Sequence, residues 1–350
     1  MSRHARRLLA ATSLTLLAAT TTAMPVAATY SGANGRLTFM RFDEDGHGQI
    51  FVANPDMTHQ AQLTSGRDDG GFPAWSPDGT RIAFQSSRTD RDLDAAPEIQ
   101  DIFTMRPDGT DVRQITDSVG DAEKPAWSPD GRWLAYAADR ADYPASQGIY
   151  LIRSDGSGAP RRLTTLPEGS LWQELARFSP DGSRIAYTEY RGGHVLTNHR
   201  DGSVVGEQAA IFSVCLDGTD VRQLTPWGIH AGDADWSPDG TTLVFSGQPS
   251  HIGDIGDVQT VDADGRHLTD LTKDGTLTGL GRDSAVRYAE NFNAVYSPGG
   301  SKIIFVRAEY TAETGFHMGL MTMNPDGSGR AWLSQGEEHQ PDWGSAPPVP

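Results

Sequence analysis

The sequence has almost no cysteine: Cys215 is the only one in 350 residues. One cysteine excludes an intramolecular disulfide, so the fold must be stable through burial of apolar side chains alone. Cys215 ends the β-type run 211–215, where a small buried side chain is expected rather than a reactive thiol. A lipid-anchored precursor needs a cysteine directly after its signal, and the sequence places none there.

Positive charge is also scarce. The 29 Lys and Arg residues are outnumbered by 46 Asp and Glu residues, which gives a formal net charge of −17 at pH 7. Such a polyanion repels nucleic acid phosphates and anionic membrane surfaces, so neither is expected as a partner. The same charge tolerates cationic partners and divalent cations.

Long hydrophobic runs are missing beyond the first residues, so no membrane span is expected. Three arginines lie within the first seven residues, and the apolar stretch 8–23 that follows is too short and weak to span a bilayer. Small residues at 26–28 suit a cleavage site. We therefore interpret residues 1–28 as a signal peptide and expect a secreted, extracellular protein. The Arg6-Arg7 pair leaves the twin-arginine export route open beside the general one.

What the sequence repeats is an aromatic residue, then Ser-Pro, then a turn closed by Gly. Five copies begin at Trp75, Trp127, Phe178, Trp236 and Tyr296, and a truncated copy spans residues 341–344. Successive aromatic residues, ending with Trp343, are 52, 51, 58, 60 and 47 residues apart. Self-similarity in this range marks a solenoid, a propeller or another repeat array.

Each repeat contains four short runs rich in β-branched and aromatic residues, which we label a to d. Ser-Pro-Asp-Gly connects a to b, and an Asp-Gly pair connects c to d in most copies, which predicts tight hairpin turns. The d run ends in Leu-Thr or Ile-Thr in five copies. Such a meander forms a four-stranded antiparallel sheet, and these sheets must stack because one alone cannot bury its faces.

The pattern predicts an all-β fold, a six-bladed β-propeller of four-stranded antiparallel blades over residues 29–345, with a short Pro-rich tail at 346–350. Residues 36–64 supply only the b, c and d strands of the first blade. The missing a strand is the stray segment 340–343. We therefore predict that the C-terminal strand pairs with the N-terminal blade and closes the ring.

The Trp-Ser-Pro-Asp-Gly motif, the Asp-Ile-Phe-type c strands and the Leu-Thr ends resemble the WD-repeat-like β-propeller of the TolB family over about residues 35–345. The α/β domain that precedes this propeller in TolB has no counterpart in the sequence. The resemblance implies a periplasmic protein that contacts a peptidoglycan-associated lipoprotein and Tol partners. Similar propellers occur in oligogalacturonate lyases and prolyl oligopeptidases, but no Gly-x-Ser-x-Gly nucleophile elbow is present.

The two faces of the predicted ring differ. The a–b and c–d turns lie on one face, here called the turn face, and they are uniformly tight. The b–c and d–a connections lie on the opposite face, the loop face, and we expect them to be long and irregular at 87–99, 138–147, 190–208 and 273–288. Because function commonly sits on loops held by a rigid scaffold, the loop face and the channel mouth beside it form the candidate site.

The a strands line the channel of a propeller, so the residue before each motif aromatic is a candidate site residue. Three copies are small or apolar there, and the other three have Arg177, Asp235 and Asp342. Two carboxylates and a guanidinium in one narrow ring would perturb each other's pKa values and could bind a polar ligand. The alternative is a structural ion-pair ring that closes a water-filled channel.

Polar residues recur three or four positions earlier, at the predicted channel mouth. They are Lys124, Glu174, Asp233, Asn293 and His339. We place Lys124, Glu174, Asp233 and His339 in the candidate ligand-binding set together with the charged channel residues. If the protein is an enzyme, Asp235, Asp342 and His339 are the candidate catalytic groups.

Two tryptophans outside the motif, Trp172 and Trp227, are further ligand-binding candidates near the mouth. Each could stack on a sugar ring or anchor a partner, or simply pack under the long loops. His230 and Glu290 also belong to the candidate ligand-binding set, and with His339 they could approach one another and hold a divalent metal. No metal-spacing motif such as His-Glu-x-x-His supports that set.

A second metal candidate is the segment Asp43-Glu44-Asp45-Gly46, which resembles a fragment of a calcium-binding loop. Asp43 and Asp45 would supply its ligands. The bidentate acidic residue that ends such a loop is missing, and a hairpin connection at this position needs no ion.

Two classes of function therefore stay open. The first is a secreted binding or scaffolding propeller that engages a protein or an envelope polymer such as an oligosaccharide through its loop face and channel mouth. The second is a carbohydrate-active enzyme, a lyase or hydrolase, with a channel-mouth site that a metal could assist. The missing nucleophile elbow and phosphate-binding loop favour binding. We expect a monomer that requires no cofactor, with a divalent cation left open.

Overall fold

The structure is a computed structural model that describes residues 33–67, 70–89, 99–117, 120–139, 147–197, 204–247, 256–273, 286–311 and 313–346. The predicted signal peptide (residues 1–28) and residues 347–350 of the predicted tail lie outside this part of the chain. The described residues form a six-bladed β-propeller with four antiparallel strands in each blade, as predicted. An α/β domain is not among them.

The strands follow one another in meander order within each blade. Blade 1 contains β1 (Asn34–Phe42), β2 (Gly48–Ala53) and β3 (Ala61–Gln62), and blade 2 contains β4 (Gly70–Trp75), β5 (Ile82–Ser86), β6 (Asp101–Met105) and β7 (Arg113–Gln114). Blade 3 contains β8 (Asp121–Trp127), β9 (Trp133–Asp139), β10 (Gly148–Arg153) and β11 (Arg161–Arg162). Blade 4 contains β12 (Ser170–Phe178), β13 (Arg184–Thr197), β14 (Val204–Cys215) and β15 (Arg222–Gln223).

Blade 5 contains β16 (Gly232–Trp236), β17 (Thr242–Gly247), β18 (Asp257–Asp262) and β19 (Thr269–Asp270). Blade 6 contains β20 (Val286–Tyr296), β21 (Ile303–Thr311), β22 (Gly315–Met323) and β23 (Ala331–Trp332). The last strand, β24 (His339–Ser345), is the innermost strand of blade 1. A short 3₁₀ helix at Trp227–Ile229 connects blades 4 and 5. Among the described residues, no helix has the length and apolar character that a membrane crossing requires.

The ring is closed by β24, which confirms the predicted closure. β24 pairs antiparallel with β1, placing Trp343 opposite Leu37 and Asp342 opposite Thr38. Each innermost strand contacts the innermost strand of the next blade, and the series closes because β24 contacts both β20 and β4. The C-terminal strand thus joins the first, second and last blades.

The repeated Ser-Pro-Asp-Gly sequence builds the a–b turn through its own hydrogen bonds. In blade 2 the Ser76 hydroxyl donates to Asp78 at 2.6 Å, and the Arg81 N–H donates to the Ser76 hydroxyl at 2.9 Å. Gly79 has a φ of 65°, in the left-handed region that favours glycine. The Ser–Asp bond recurs at residues 128–130, 179–181 and 237–239, at 2.6–2.7 Å. The motif is therefore the internal network of a tight turn.

The threonine that follows the d strand in five of the six blades has a related role. The Thr116 hydroxyl accepts a hydrogen bond from the Ile102 N–H at 2.8 Å and donates one to Asp101 at 2.7 Å. Four equivalent hydroxyls accept hydrogen bonds from backbone N–H groups of the c strands. These hydroxyls belong to Thr64, Thr164, Thr225 and Thr272. Because each d strand is only two residues long, the hydroxyl extends the ladder beyond the end of the strand.

The core lies between the blades. Trp127 of blade 3 packs in a buried cluster with Ala83 and Ile102 of blade 2, and its Nε1 donates to the Ala74 carbonyl at 3.1 Å. Trp75, Trp236 and Trp343 are likewise at most 6% exposed and pack on the preceding blade. Removing a buried aromatic side chain of this kind costs about 3–5 kcal/mol. The motif aromatics therefore join neighbouring blades.

One loop-face connection differs from the expected irregular loop. In the span 190–208, β13 continues to Thr197 and β14 already begins at Val204, so strand pairing covers most of it. The Arg191 guanidinium donates twice to the Gln208 side chain, at 3.0 and 2.7 Å, and these bonds extend the cross-strand pairing. The β21–β22 hairpin of blade 6 is extended in the same way.

Candidate functional site

Each innermost strand is interrupted by a β-bulge close to the channel mouth. The register against the neighbouring strand shifts in all six blades, for example between Gly71 and Ala74 in blade 2. The residue three positions before the motif aromatic has a left-handed backbone in every blade. These six bulge residues are Phe72 (φ 48°), Lys124 (55°), Leu175 (56°), Asp233 (58°), Asn293 (51°) and Gln340 (50°).

None of the bulge residues is glycine, although glycine adopts this conformation without a steric penalty. Bulky residues such as Phe72 and Leu175 are uncommon there, and each left-handed position costs about 1–3 kcal/mol that the surrounding sheet must offset. A bulge redirects its side chain. All the bulge residues except Lys124 line a narrow cavity in the channel. The bulges therefore place a variable set of side chains around one opening.

Contacts between these side chains run from blade to blade. The Lys124 ammonium forms an ion pair with Glu174 of blade 4 and lies 5.3 Å from the centroid of the Phe72 ring of blade 2. In blades 5 and 6, the Asn293 amide donates to the Asp233 carboxylate at 3.0 Å. The predicted mouth residues Lys124, Glu174, Asp233 and Asn293 are thus brought together in two groups.

Side-chain amides hold the backbone of two bulges across blade boundaries. The Gln340 side-chain oxygen of blade 1 accepts from the Phe72 N–H at 2.6 Å. The Gln85 oxygen of blade 2 accepts from the Lys124 N–H at 2.9 Å. These bonds fix the bulge backbone, so the mouth is held in shape by neighbouring blades.

Deeper in the channel lie the charged residues that precede the motif aromatics. Asp235 accepts a hydrogen bond from the Tyr296 N–H at 2.8 Å, and Asp342 accepts one from the Trp75 N–H at 2.7 Å. Both bonds cross to the next blade. Arg177 lines the same small cavity as the two carboxylates. The predicted ring of one guanidinium and two carboxylates is therefore present, and one oxygen of each carboxylate is engaged in joining blades.

Burial raises the pKa values of the channel carboxylates. Burial raises the pKa of Asp235 to about 7, opposed by the charge of Arg177. Burial likewise raises the pKa of Asp342, again opposed by Arg177. For Asp233, burial and the nearby Glu174 charge raise the pKa to about 6, opposed by Lys124 and Arg177. The charge of the channel therefore changes with pH around neutrality.

As lined by the described residues, the channel is too narrow for a sugar ring. Its upper cavity, at the bulge residues, has a volume of about 30 Å³, and the cavity beside Asp235 and Asp342 has about 20 Å³. Volumes of this order hold individual water molecules, whereas small-molecule sites occupy roughly 300–1,000 Å³. A sugar ring does not fit between the candidate catalytic carboxylates. A ligand of this channel must therefore contact its mouth rather than enter it.

The tryptophan candidates lie in a packed cluster on blade 4. Trp172 stacks on Tyr190 with ring centroids 4.8 Å apart, and Tyr190 meets His230 edge-on at 6.3 Å. The Arg191 guanidinium lies 4.1 Å from the centroid of Trp227, within range of a cation–π interaction. Both tryptophans are half-buried. Their geometry fits packing beneath the loop-face connections better than a free stacking platform.

The candidate metal ligands do not converge. In the part of the chain that the structure describes, no three His, Cys, Asp or Glu side chains form a group that could hold a metal ion. Glu290 lies in β20 opposite Ala308, and His339 packs edge-on against Phe42 at 5.3 Å. Burial lowers the pKa of His339. His230, by contrast, ends the 3₁₀ helix beside blade 4.

The segment that resembles a calcium loop is a hairpin connection. The Asp43 carboxylate accepts hydrogen bonds from the N–H groups of Asp45 and His47 at 3.0 and 2.9 Å, and from the Gln49 amide at 3.0 Å. Its oxygens are thus used by its own turn.

Two features of the loop face and its channel mouth do not appear among the sequence-based candidates. Phe72, Leu175 and Gln340 are bulge residues that counting back three positions in every repeat would have found. The other feature is a pair of exposed aromatics on the loop face. Tyr310 and Phe316 are 47% and 56% exposed and lie directly opposite each other near the tip of the β21–β22 hairpin.

Comparison with known proteins identifies a matching family and several proteins that are similar to this chain. A family described as the TolB beta propeller domain matches residues 12–278. A Bacillus subtilis protein named uncharacterized peptidase YuxL is 30% identical over 207 residues, covering 52% of this chain and 30% of that protein. A protein TolB homolog from Chlorobium luteolum is 31% identical over 153 residues, covering 43% of this chain and 31% of that protein.

Among solved structures, TolB from Acinetobacter baumannii has a TM-score of 0.63 at 22% identity, covering 91% of this chain and 68% of that chain. At this sequence identity, the structural similarity shows a shared fold and nothing more specific. The chain spans less than half the length of the curated relatives that it matches here.

Proposed function

Because the chain belongs to the TolB beta propeller domain family, we propose that it is an exported scaffold that binds an envelope protein through its loop face and channel mouth. One observation carries the proposal: the channel cavity of about 30 Å³ admits water but no substrate, so recognition falls to the surface around it. Export follows from the interpretation of residues 1–28 as a signal peptide, and the protein would act in the periplasm or outside the cell.

The proposed binding surface joins two chemically different parts. The mouth offers charged and amide groups, among them Lys124, Glu174 and Asp233, held at fixed positions by the bulges. The blade 6 hairpin offers Tyr310 and Phe316, and exposed aromatic side chains of this kind are frequent anchors of protein interfaces. A polypeptide segment can contact both parts at once, with its apolar side chains on the hairpin and its polar groups at the mouth.

The carbohydrate-active alternative requires a reacting group that a sugar can reach. Asp235 and Asp342 each use one oxygen to accept a backbone hydrogen bond, and both line a cavity of about 20 Å³. His339 packs against Phe42 at the mouth. We therefore place lyase or hydrolase activity second, and the experiment below measures it directly.

The test uses the chain from residue 29, purified and titrated calorimetrically with the soluble part of a peptidoglycan-associated lipoprotein, the partner class that the TolB resemblance implies. We expect saturable binding that Lys124→Glu weakens about tenfold, since the substitution breaks the Glu174 ion pair and reverses a mouth charge. Val221→Ala, which changes an exposed residue of blade 4 near the turn face, is the matched control.

A parallel incubation with acidic and neutral oligosaccharides, followed by analysis of products, tests the alternative. Turnover of an oligosaccharide that Asp235→Asn abolishes would replace the scaffold proposal with the enzyme. Absence of binding to the lipoprotein, or equal effects of Lys124→Glu and Val221→Ala, would contradict a loop-face interface for this partner.

A further inference from the structure

The turn face holds a cavity much larger than the channel. It lies in the seam between blades 2 and 3 and has a volume of about 440 Å³, against about 30 Å³ for the channel cavity. Its walls are the a–b turns of the two blades, at residues 76–81 and 129–131, and the c–d turn of blade 3 at residues 154–155. This volume lies within the range of small-ligand sites, roughly 300–1,000 Å³.

Two proline rings give the cavity apolar walls. Pro77 and Pro129 come from equivalent positions of the two a–b turns. The turns stand close together, since a Cβ added at Gly131 would lie 3.8 Å from the Pro77 ring. An aliphatic chain can therefore lie along the seam in contact with proline carbon atoms.

Three carboxylates also line this cavity. Asp78, Asp130 and Asp155 each use Oδ1 to accept a backbone N–H within their own turn, at 3.0, 3.0 and 2.9 Å. These turn hydrogen bonds do not use the second carboxylate oxygen, Oδ2, of any of the three aspartates. For Asp155, hydrogen bonds from the Ser157 side chain and backbone lower the pKa, so this carboxylate is ionised at neutral pH.

The cationic side chains that line the cavity are already engaged. Arg81 and Arg113 each form an ion pair with Asp111, both at 2.9 Å. Asp130 has only a loose ion pair with Arg132, at 3.9 Å between two exposed side chains. The two lining arginines thus share the Asp111 carboxylate, and the three lining carboxylates outnumber them beside the proline rings.

We propose that this seam cavity, bounded by Pro77, Pro129, Asp130 and Asp155, binds the side chain of a lysine or arginine presented by a partner polypeptide. Such a side chain combines an aliphatic stem, which contacts the proline rings, with a cationic head, which pairs with the carboxylates. The formal net charge of −17 attracts basic segments over longer distances. This second docking site lies on the face opposite the loop-face interface and does not depend on it.

The test uses a fluorescein-labelled hexalysine peptide and fluorescence anisotropy at low and moderate salt. We expect saturable binding that Asp130→Asn/Asp155→Asn weakens about tenfold, since two charge-assisted contacts are lost. The asparagine oxygens still accept the turn hydrogen bonds, so the fold is retained. The matched control is Asp217→Asn/Asp264→Asn, which removes the same charge from the c–d turns of blades 4 and 5 and should weaken binding less than about twofold.

Carbodiimide cross-linking supplies the position of the peptide. Lysine amines held in the cavity should couple to Asp130 or Asp155, and mass spectrometry of the digest identifies the linked residue. Equal losses of affinity in the two double variants would show diffuse attraction to a polyanion and overturn the site. Cross-links found only at Asp217, Asp264 or the channel mouth would overturn it as well, and so would the absence of binding.

Discussion

The carboxylate of Asp342 accepts the backbone N–H of Trp75 at 2.7 Å and so ties the closing strand to blade 2. Asp235 makes the same bond to Tyr296 between blades 5 and 6, at 2.8 Å. Ala74, Ala126 and Val295 occupy this position in other blades and have no side chain that could accept the bond. At two of the six blade boundaries, the carboxylate at this strand position therefore accepts a backbone N–H of the next blade.

Replacing Asp342 with alanine should destabilise the protein by about 1–3 kcal/mol, because the buried Trp75 N–H would lose its acceptor. Asp342→Asn keeps an oxygen in place and should cost less than about 1 kcal/mol. Urea unfolding followed by tryptophan fluorescence gives both values. Equal losses in the two variants would show that the charge, rather than the hydrogen bond, matters at this boundary.

Deleting residues 339–350 should destabilise the whole domain rather than one blade. The deletion removes β24, which pairs with β1 and contacts the inner strands of blades 2 and 6, and it removes buried Trp343. Thermal unfolding should show a large drop in melting temperature in a single transition. Deleting residues 347–350 alone is the control, and an unchanged melting temperature in the longer deletion would contradict ring closure by this strand.

Stability should fall as the pH rises from 5 to 8. The folded-state pKa of Asp235, about 7, lies above its ordinary value of 3.8, so the native state holds a proton that the unfolded chain has already released. The free energy of unfolding therefore decreases through this window, by on the order of 2–3 kcal/mol. Asp235→Asn should flatten the pH profile of denaturant midpoints. A variant with the wild-type slope would assign the effect to other groups.

The exposed aromatic pair offers a separate test of the loop-face interface. Tyr310→Ala and Phe316→Ala should each weaken lipoprotein binding by about tenfold or more, as the loss of an interface anchor does. Because both side chains are about half exposed, the melting temperature should barely change. Calorimetric titration beside a thermal scan separates the two effects. Binding that is unaffected by both substitutions would place the interface elsewhere.

The architecture could be predicted from the sequence because the residues that form its turns recur at regular spacing. Ser-Pro-Asp-Gly and the Thr that follows five of the d strands use hydrogen bonds within one blade, so their spacing alone gives the blade number and the closing strand. The c–d turn of blade 1 shows where the repeated sequence pattern is not sufficient. Met57 takes the left-handed position, at φ 61°, that Gly109 occupies in blade 2. Tertiary packing supports this conformation, since Met57 is buried in the core between blades 6 and 1.

The candidate site was predicted less completely, for reasons of geometry. Arg177, Asp235 and Asp342 do share a cavity, because a fixed offset from the motif aromatic places them on inner strands. Phe72 lies two positions before Ala74, on the same side of a regular strand, so alternation alone could have placed it at the mouth. The left-handed bulge that fixes its backbone has no such sequence signal, because none of the six bulge residues is glycine. The hydrogen bonds of the two carboxylates to backbone N–H groups depend on the twist between blades, which no local pattern records.

The six left-handed bulge residues affect how the channel mouth of such a propeller can evolve. Each bulge is held by its own strands and its neighbours, and no two of the six residues are alike. A substitution at one bulge therefore alters one sector of the rim together with the neighbouring bulge that its side chain contacts, as Gln340 contacts Phe72. Partner preference can drift in single steps while the hydrogen-bonded turns on the far side preserve the ring.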